Sequence, residues 1–265
     1  MLKRKIFSLS LVTILILLIT ACGQEKGSSA NSNSDNKGAG KIVTIRYGNV
    51  FNKDTTYGKA VDKMAKDIEK MSNGSIKMEV YHNGSLGSEK DEIQALHDGS
   101  LEMMQTGSAG IGLYVPETSV FELWFSQNNL NQLKNSFESL QPDLDKIYQK
   151  KGFKLLGAYY DGPRDIISKE KVDTLKDLKD LKLRVPDATV YVQMAKALGA
   201  NAITMPLGDV YTSLQSGGID AMEGTPDSIL EQKFYEPAKY LILDQHVFEP
   251  LSIVYSLDAW NNLSK

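Results

Sequence analysis

The sequence predicts an α/β fold in two lobes, each built on a parallel βαβ sheet and joined to the other by crossing strands, with a cleft between them. From Lys41 onward, strand-like and helix-like patterns alternate along the chain. The order of elements in the first half returns in the second half. Alternating strands and helices favour parallel sheets that are covered by helices on both faces.

The first lobe is predicted to contain three strands and two helices. Strands are expected at 42–47, 76–80 and 101–104, and helices at 61–71 and 88–96. Apolar residues in 61–71 recur at the spacing of a buried helix face, whereas those in 76–80 alternate with charged residues as in a strand. Asn73-Gly74 ends the first helix, because glycine adopts the left-handed conformation without a Cβ clash.

The second lobe repeats this order of elements. Strands are expected at 183–185, 202–205 and 219–223, and helices at 189–198 and 209–214. At one helix-to-strand joint, Leu96, Gly99, Leu101, Glu102 and Met104 return at identical offsets as Leu214, Gly217, Ile219, Asp220 and Met222. This echo indicates an internal repeat of two βαβαβ units, with a chance match between two such joints as the alternative.

Two further segments are predicted to connect the lobes. Residues 153–160 and 165–167 are interpreted as strands that lead from the first lobe to the second, and 251–256 as a strand that returns near Pro250. The first lobe is therefore assigned to 41–161 with a return segment at 250–265, and the second lobe to 162–249.

The N-terminus has the pattern of an export signal. Lys3-Arg4-Lys5 precedes an uncharged stretch at 6–19, which is shorter than the roughly 20 residues that a transmembrane helix needs. Ile19-Thr20-Ala21-Cys22 resembles the bacterial lipobox, in which the cysteine is acylated and becomes the new N-terminus. We expect a signal peptide at 1–21 and a flexible tether at 22–40, with an ordinary signal peptide and a chance cysteine as the alternative.

Composition excludes several classes of function. Cys22 is the only cysteine, so an intramolecular disulfide and a cysteine-based zinc site are excluded, and three scattered histidines do not indicate a metal site. The net charge of −3 disfavours nucleic-acid binding. Because no Gly-x-Ser-x-Gly, phosphate-binding or HExxH motif is present, no catalysis, cofactor or metal is expected.

Arg184 is the main candidate for ligand binding. It ends the strand Leu183-Arg184-Val185, and Pro186 directs the chain out of that strand. Ligands of parallel α/β sheets bind beyond the carboxyl ends of the strands, and a guanidinium at that place suits a carboxylate. A solvated charge or a salt bridge between the lobes is the alternative.

Six other residues are weaker candidates for the same cleft. Arg164 follows Gly162-Pro163 between two connecting strands and is a second candidate cation. The others are Glu223, Asp187, Gly107, Trp124 and Leu207. A structural role is an open alternative for Glu223, Asp187 and Gly107, as is a place in the core for Trp124.

Several motifs, in this order, resemble the solute-binding subunit of a tripartite ATP-independent periplasmic (TRAP) transporter of the dicarboxylate-binding type. They lie at 74–81, 83–87, 114–117, 177–179, 182–186, 197–200, 210–217 and 233–236. The resemblance implies a type II-like periplasmic-binding-protein fold, in which Arg184 holds a small organic acid and Arg164 assists. It also implies capture without chemistry, and transfer of the acid to membrane subunits driven by an ion gradient. The protein is then an extracytoplasmic lipoprotein anchored through Cys22.

The chain departs from the family pattern at several positions. Gly224 stands where many members have asparagine, and Leu123-Trp124-Phe125 replaces a Leu-Pro-Phe run. Val50, Gly107 and Gly110 lack the groups that sialic-acid binders carry there. The chain stops at Lys265, short of the helices that usually complete such proteins, which indicates a fragment. The alternatives are a binding protein of an ATP-driven importer or sensor, and an anchored hydrolase of a small acid.

Overall fold

The computed structural model describes residues 42–263. The predicted signal peptide at 1–21, the predicted acylation site at Cys22 and the predicted tether at 22–40 lie outside the described residues. Within 42–263, no helix has both the length and the apolar character needed to cross a membrane.

The strands of the described region form one mixed sheet. They are β1 (Val43–Gly48), β2 (Ile76–Tyr81), β3 (Met103–Gly107), β4 (Phe153–Ser168), β5 (Lys182–Val185), β6 (Asn201–Thr204), β7 (Ala221–Gly224) and β8 (Tyr240–Ser256). Their order is β2-β1-β3-β8-β4-β7-β5-β6. β1 pairs in parallel with β2 and β3, and β5 pairs in parallel with β6 and β7. β4 and β8 run antiparallel to their neighbours.

The predicted α/β class is confirmed, with one correction to the sheet. The lobes do not have two separate parallel sheets, because β4 and β8 hydrogen-bond both to each other and to strands on either side. The segments 153–160 and 165–167, expected as two strands, are one continuous strand. The returning strand also begins earlier than expected, at Tyr240.

Four of the eight α-helices in the described region lie where the sequence patterns predicted helices. The eight helices are α1 (Thr56–Met71), α2 (Glu89–His97), α3 (Ser108–Ile111), α4 (Leu130–Lys150), α5 (Thr189–Ala197), α6 (Val210–Ser216), α7 (Pro226–Glu231) and α8 (Leu257–Asn261). Ser88 caps α2 in a capping box with Asp91, which satisfies free backbone N–H groups at the helix start. The sequence reasoning made no prediction for α4, which buries Leu133, Phe137 and Tyr148 in the first lobe.

The repeated joint has the same structure in both halves. Gly99 and Gly217 both take positive φ angles, 73° and 79°, after α2 and α6. Glu102 then accepts a hydrogen bond from the backbone N–H of Arg46 at 2.8 Å, and Asp220 accepts one from that of Lys182 at 3.0 Å. Each acidic side chain thus binds the backbone of the neighbouring parallel strand. This shared contact is a physical reason for the matching residues at the two joints.

The two crossing strands are irregular where they pass from one half of the fold to the other. The pairing of β4 with β8 shifts register between Tyr160 and Pro163 and again between Arg164 and Ile166. Pro163 and Pro250 lie at this crossing, and proline lacks the N–H that a regular ladder needs. Such bulges bend strands and redirect side chains, and here they leave Asp161 and Arg164 at the cleft.

Buried apolar residues form separate clusters on the two sides of this crossing. On one side, the clusters include Leu96, Phe137 and Tyr255; on the other, they include Leu183, Leu214 and Met222. A few residues do not follow the predicted boundaries: Ala109 and Trp124 pack with the second set. The boundaries at 161/162 and 249/250 stay a prediction. Below, "first lobe" means 42–161 with 250–263, and "second lobe" means 162–249.

Candidate functional site

A cleft of about 550 Å³ lies between the two lobes. It is found beyond the carboxyl ends of all six short strands, where ligands of parallel α/β sheets bind. The residues that line it just before or after those ends are Val50, Asn83, Gly107, Arg184, Pro186, Thr204, Met205, Glu223 and Gly224. A volume of this size falls within the range of small-molecule sites.

Arg184 is buried in the wall of this cleft, with only 4% of its surface exposed. Its Nε and Nη2 groups donate to the backbone carbonyl of Met205 at 3.1 and 2.8 Å, which fixes the plane of the guanidinium. Burial lowers the pKa of Arg184 to about 10, helped by the charge of Arg164, so the group stays charged at neutral pH. Among residues 42–263, no carboxylate lies within 4.0 Å of its nitrogens.

Arg164 also lines the cleft, but acidic side chains already use its donors. Its Nε and Nη2 donate to both oxygens of Glu223, at 2.7 and 2.8 Å, and its Nη1 donates to Glu249. The guanidinium lies 5.3 Å from the centre of the Tyr191 ring. Although burial opposes the charge, the carboxylates of Glu223 and Glu249 raise the pKa of Arg164 well above its ordinary value.

Glu223 is completely buried behind Arg164. Burial opposes its ionisation, but the charge of Arg164 and a hydrogen bond from His246 outweigh that cost and lower the pKa of Glu223 to about 2. His246 is itself buried, and its bonds to Asp244 and Glu223 raise its pKa despite burial. The two acids predicted as ligand contacts therefore differ: Glu223 is held by Arg164, while Asp187 is exposed and pairs with Lys90 at 3.5 Å.

The remaining candidates also take definite places. Gly107 and Leu207 line the cleft, and the backbone N–H of Gly107 donates to Glu89 at 3.1 Å. Trp124 lies outside the residues that line the cleft and packs against His246, with ring centres 4.4 Å apart. Gly224 lines the cleft, and a side chain there would first meet Met222 at 3.2 Å. The roles of these residues toward a ligand stay predictions.

Four acids that line the cleft were missed by the sequence reasoning. Three of them are Glu89 on α2, Asp161 in the bulge of β4 and Glu249 on β8, and the fourth is the exposed Asp209. Asp161 accepts from the hydroxyl of Tyr57, and burial raises its pKa to about 6. Ser88, the cap of α2, marks Glu89 as the first residue of a helix that faces the cleft, but only the pairing of β4 with β8 brings Asp161 and Glu249 there.

This arrangement defines a class of protein. Two α/β lobes, joined by two irregular strands, enclose a cleft, which is the architecture of solute-binding proteins. In this cleft, the nitrogens of the buried Arg184 have no carboxylate of the described chain within 4.0 Å. The chain belongs to the family of bacterial extracellular solute-binding proteins, family 7 (DctP), whose model matches residues 47–265. The predicted membership of the TRAP solute-binding family is confirmed.

Relatives and solved structures agree with this assignment. The chain is 28% identical to the sialic acid-binding periplasmic protein SiaP of Vibrio cholerae over 96% of this chain and 75% of that protein. A TRAP periplasmic solute-binding protein from a Bradyrhizobium species, solved with galacturonate, has a TM-score of 0.80 and 34% identity over 84% of this chain and 75% of that one. The sugar acid-binding protein DctPAm of Advenella mimigardefordensis, solved with galactonate, has a TM-score of 0.80 and 32% identity, over 85% and 74%.

The chain is shorter than the proteins that it resembles. It spans 61% to 75% of the length of the first curated relatives that it matches. The ligands named for these proteins are those of the relatives themselves.

Proposed function

We propose that this protein captures a small organic acid in the cleft between its lobes and delivers it to ion-gradient-driven TRAP membrane subunits. The observation that carries the proposal is Arg184: a buried, charged guanidinium that lines the cleft without a carboxylate within 4.0 Å in the described chain. The solved neighbours, which hold galacturonate and galactonate, support an acid as the ligand.

The geometry supports Arg184, rather than Arg164, as the group that binds the acid. Every nitrogen of Arg164 has a carboxylate partner, so an added anion would compete with Glu223 and Glu249. Arg184 uses Nε and one hydrogen of Nη2 on a single carbonyl, which leaves both hydrogens of Nη1 and the second hydrogen of Nη2 for a ligand. A planar guanidinium of this kind binds a carboxylate through two parallel hydrogen bonds.

The hydrogen bonds and the enclosure that the cleft offers are sufficient for micromolar affinity toward an acid. A hydrogen bond between charged groups contributes roughly 1.5 to 3 kcal/mol, and more than one forms in a bidentate contact. Enclosure of the ligand between the lobes adds apolar and polar contacts from both sides. Micromolar binding requires about 8 kcal/mol, which two or three such bonds and enclosure supply after the costs of ordering are subtracted.

Binding is coupled to closure of the lobes about β4 and β8. The irregular pairing near Pro163 and Pro250 interrupts the ladder where the strands cross, which makes that segment the hinge. The lobes also meet at the rim of the cleft, where the backbone N–H of Thr56 donates to Glu231 at 2.7 Å. An acid that contacts both lobes favours the closed state because it binds that state more tightly.

The proposal places the protein outside the cytoplasm, held at the outer face of the membrane by a lipid on Cys22. The composition of 22–40 supports a flexible tether that lets the folded part move close to the membrane. The protein performs no catalysis, so a bound acid is released unchanged.

Isothermal titration calorimetry with a panel of dicarboxylates, keto acids and sugar acids tests the proposal. We expect at least one acid to bind, Arg184→Lys to weaken its affinity, and Arg184→Ala to abolish measurable binding. Arg46→Lys is the matched control, because Arg46 pairs with Glu102 and does not line the cleft. Unchanged affinity in Arg184→Ala contradicts the proposal, as does chemical conversion of the recovered acid.

A further inference from the structure

The cleft contains three carboxylates that are arranged to accept hydrogen bonds from a ligand. We call Glu89, Asp161 and Glu249 the acceptor wall; all three line the cleft. Glu89 Oε1 accepts from Thr106 and Gly107, Asp161 Oδ1 accepts from Tyr57 and Gly162, and Glu249 Oε2 accepts from Arg164. The second oxygens of Glu89 and Asp161 remain available to a ligand. Glu249 also lies within hydrogen-bond reach of the buried carboxyl group of Glu122, whose pKa its charge helps to raise.

These acids are close enough to influence one another and Arg184. Burial is the main cause that raises the pKa of both Glu89 and Asp161, and the charge of Glu249 adds to the effect at each. Glu89 also acts on Arg184, whose pKa it raises against the effect of burial. The single cation proposed to hold the acid therefore stands beside a concentration of negative charge.

Glu249 has the most constrained position in the acceptor wall. Arg164 holds its Oε2, and a Cβ built on Gly107 would lie only 2.0 Å from its Oε1. The Glu249 carboxylate thus occupies the volume that a side chain at residue 107 would take. Only 4% of Glu249 is exposed, so water screens its charge weakly.

Such a wall discriminates between two kinds of acid. A ligand hydroxyl donates its hydrogen to a carboxylate oxygen, and a bond of this kind is stabilising because one partner is charged. A second ligand carboxylate has no hydrogen to donate and repels the wall. Specificity against unwanted ligands commonly arises from repulsion of this type.

We propose that the acceptor wall selects an acid with one carboxylate and several hydroxyl groups, and that Glu249 is the residue that excludes dicarboxylates. The inference rests on the proposed function, because it assumes that the single carboxylate binds Arg184. It goes beyond that function in assigning the chemical class of the ligand to particular residues of this chain.

Calorimetry on the full chain at pH 7.5 tests the inference, with D-galactonate, succinate and L-malate as probes. We expect wild-type protein to bind galactonate about 100-fold more tightly than either dicarboxylate, since like charges placed together cost several kcal/mol. Glu249→Gln keeps the shape and an acceptor oxygen but removes the charge. We expect it to weaken galactonate binding about tenfold and to strengthen succinate binding about tenfold.

Controls separate this inference from the proposed function and from misfolding. Glu138→Gln, an exposed substitution on α4 outside the cleft, leaves both affinities unchanged if the effect belongs to the acceptor wall. Glu89→Gln serves as a second variant, because the carboxylate of Glu89 is not bound to an arginine. We expect it to shift the ratio of galactonate affinity to succinate affinity in the same direction as Glu249→Gln. Circular dichroism confirms that each variant is folded.

Three results overturn the inference while leaving the proposed function intact: succinate binding as tightly as galactonate, an unchanged ratio in both Glu249→Gln and Glu89→Gln, or tighter binding of an amino acid such as L-glutamate. A failure of every acid to bind overturns the proposed function itself.

Discussion

Replacement of Arg164 by methionine should destabilise the protein strongly, because it leaves two buried carboxylates without their cation. Glu223 is fully buried, and Arg164 contacts both of its oxygens. The pKa of Glu223 falls from 4.5 to about 2 in the folded protein. At 1.36 kcal/mol for each pKa unit, this corresponds to about 3 kcal/mol of stabilisation at neutral pH.

The sign of this contribution fixes the pH range in which it acts. The pKa of Glu223 is lower in the folded state, so the stabilisation is complete above about pH 4.5 and is lost as the pH falls toward 2. Removal of one partner from a buried ion pair typically costs roughly 3 to 5 kcal/mol. We therefore expect Arg164→Met to lower the free energy of unfolding by that amount at pH 7.

Urea denaturation of the ligand-free protein measures this effect by linear extrapolation, with the slope checked for equality between variants. The double variant Arg164→Met, Glu223→Gln should recover part of the loss, because one of the unpaired charges is removed. The difference between wild type and Arg164→Met should narrow below pH 4.5. A loss of less than 1 kcal/mol at pH 7, or a difference that does not change with pH, would refute the reasoning.

Replacement of two other buried ionisable residues, Arg184 and Glu92, is predicted to raise the stability of the protein. Burial lowers the pKa of Arg184 to about 10, so the charge of Arg184 destabilises the ligand-free fold at neutral pH. Arg184→Met should therefore raise the free energy of unfolding by roughly 1 to 2 kcal/mol, a gain that already allows for the lost hydrogen bonds to Met205. A clear loss of stability in the same urea assay would contradict this prediction. Neither oxygen of Glu92 has a hydrogen-bond partner in the described chain, and burial raises its pKa to about 8. The destabilisation that Glu92 causes therefore grows as the pH rises from 4.5 to 8. Glu92→Met should stabilise the protein by roughly 3 kcal/mol at pH 8 and far less at pH 5. An equal effect at both pH values would show that ionisation of Glu92 is not the cause.

The part of the fold that the sequence predicted is the part with local signals. The short parallel strands and their helices follow apolar periodicity and glycine stops, and the echo at Gly99 and Gly217 identified a true repeat. The long strands β4 and β8 were only partly predicted. Pro163 and Pro250 break their patterns, and their pairing joins residues about 90 positions apart.

In the cleft, too, residues with a local sequence signal were predicted and residues placed by long-range pairing were not. Arg184 was identifiable because it is the second-last residue of β5, two positions before Pro186. The acceptor wall was not, because Asp161 and Glu249 reach the cleft through irregular pairing between two strands that are remote in sequence. Trp124 was proposed for the cleft with a core role as the alternative. It does not line the cleft, and it packs, partly buried, against His246 and the buried cluster of the second lobe.

The most direct test is a crystal structure of the protein with a bound acid such as D-galactonate. We expect the ligand carboxylate to lie against Arg184, with at least two N–H to oxygen contacts of about 2.7 to 2.9 Å, while Arg164 keeps its bonds to Glu223. A carboxylate bound to Arg164 instead, or placed with no contact to Arg184, would contradict the central claim.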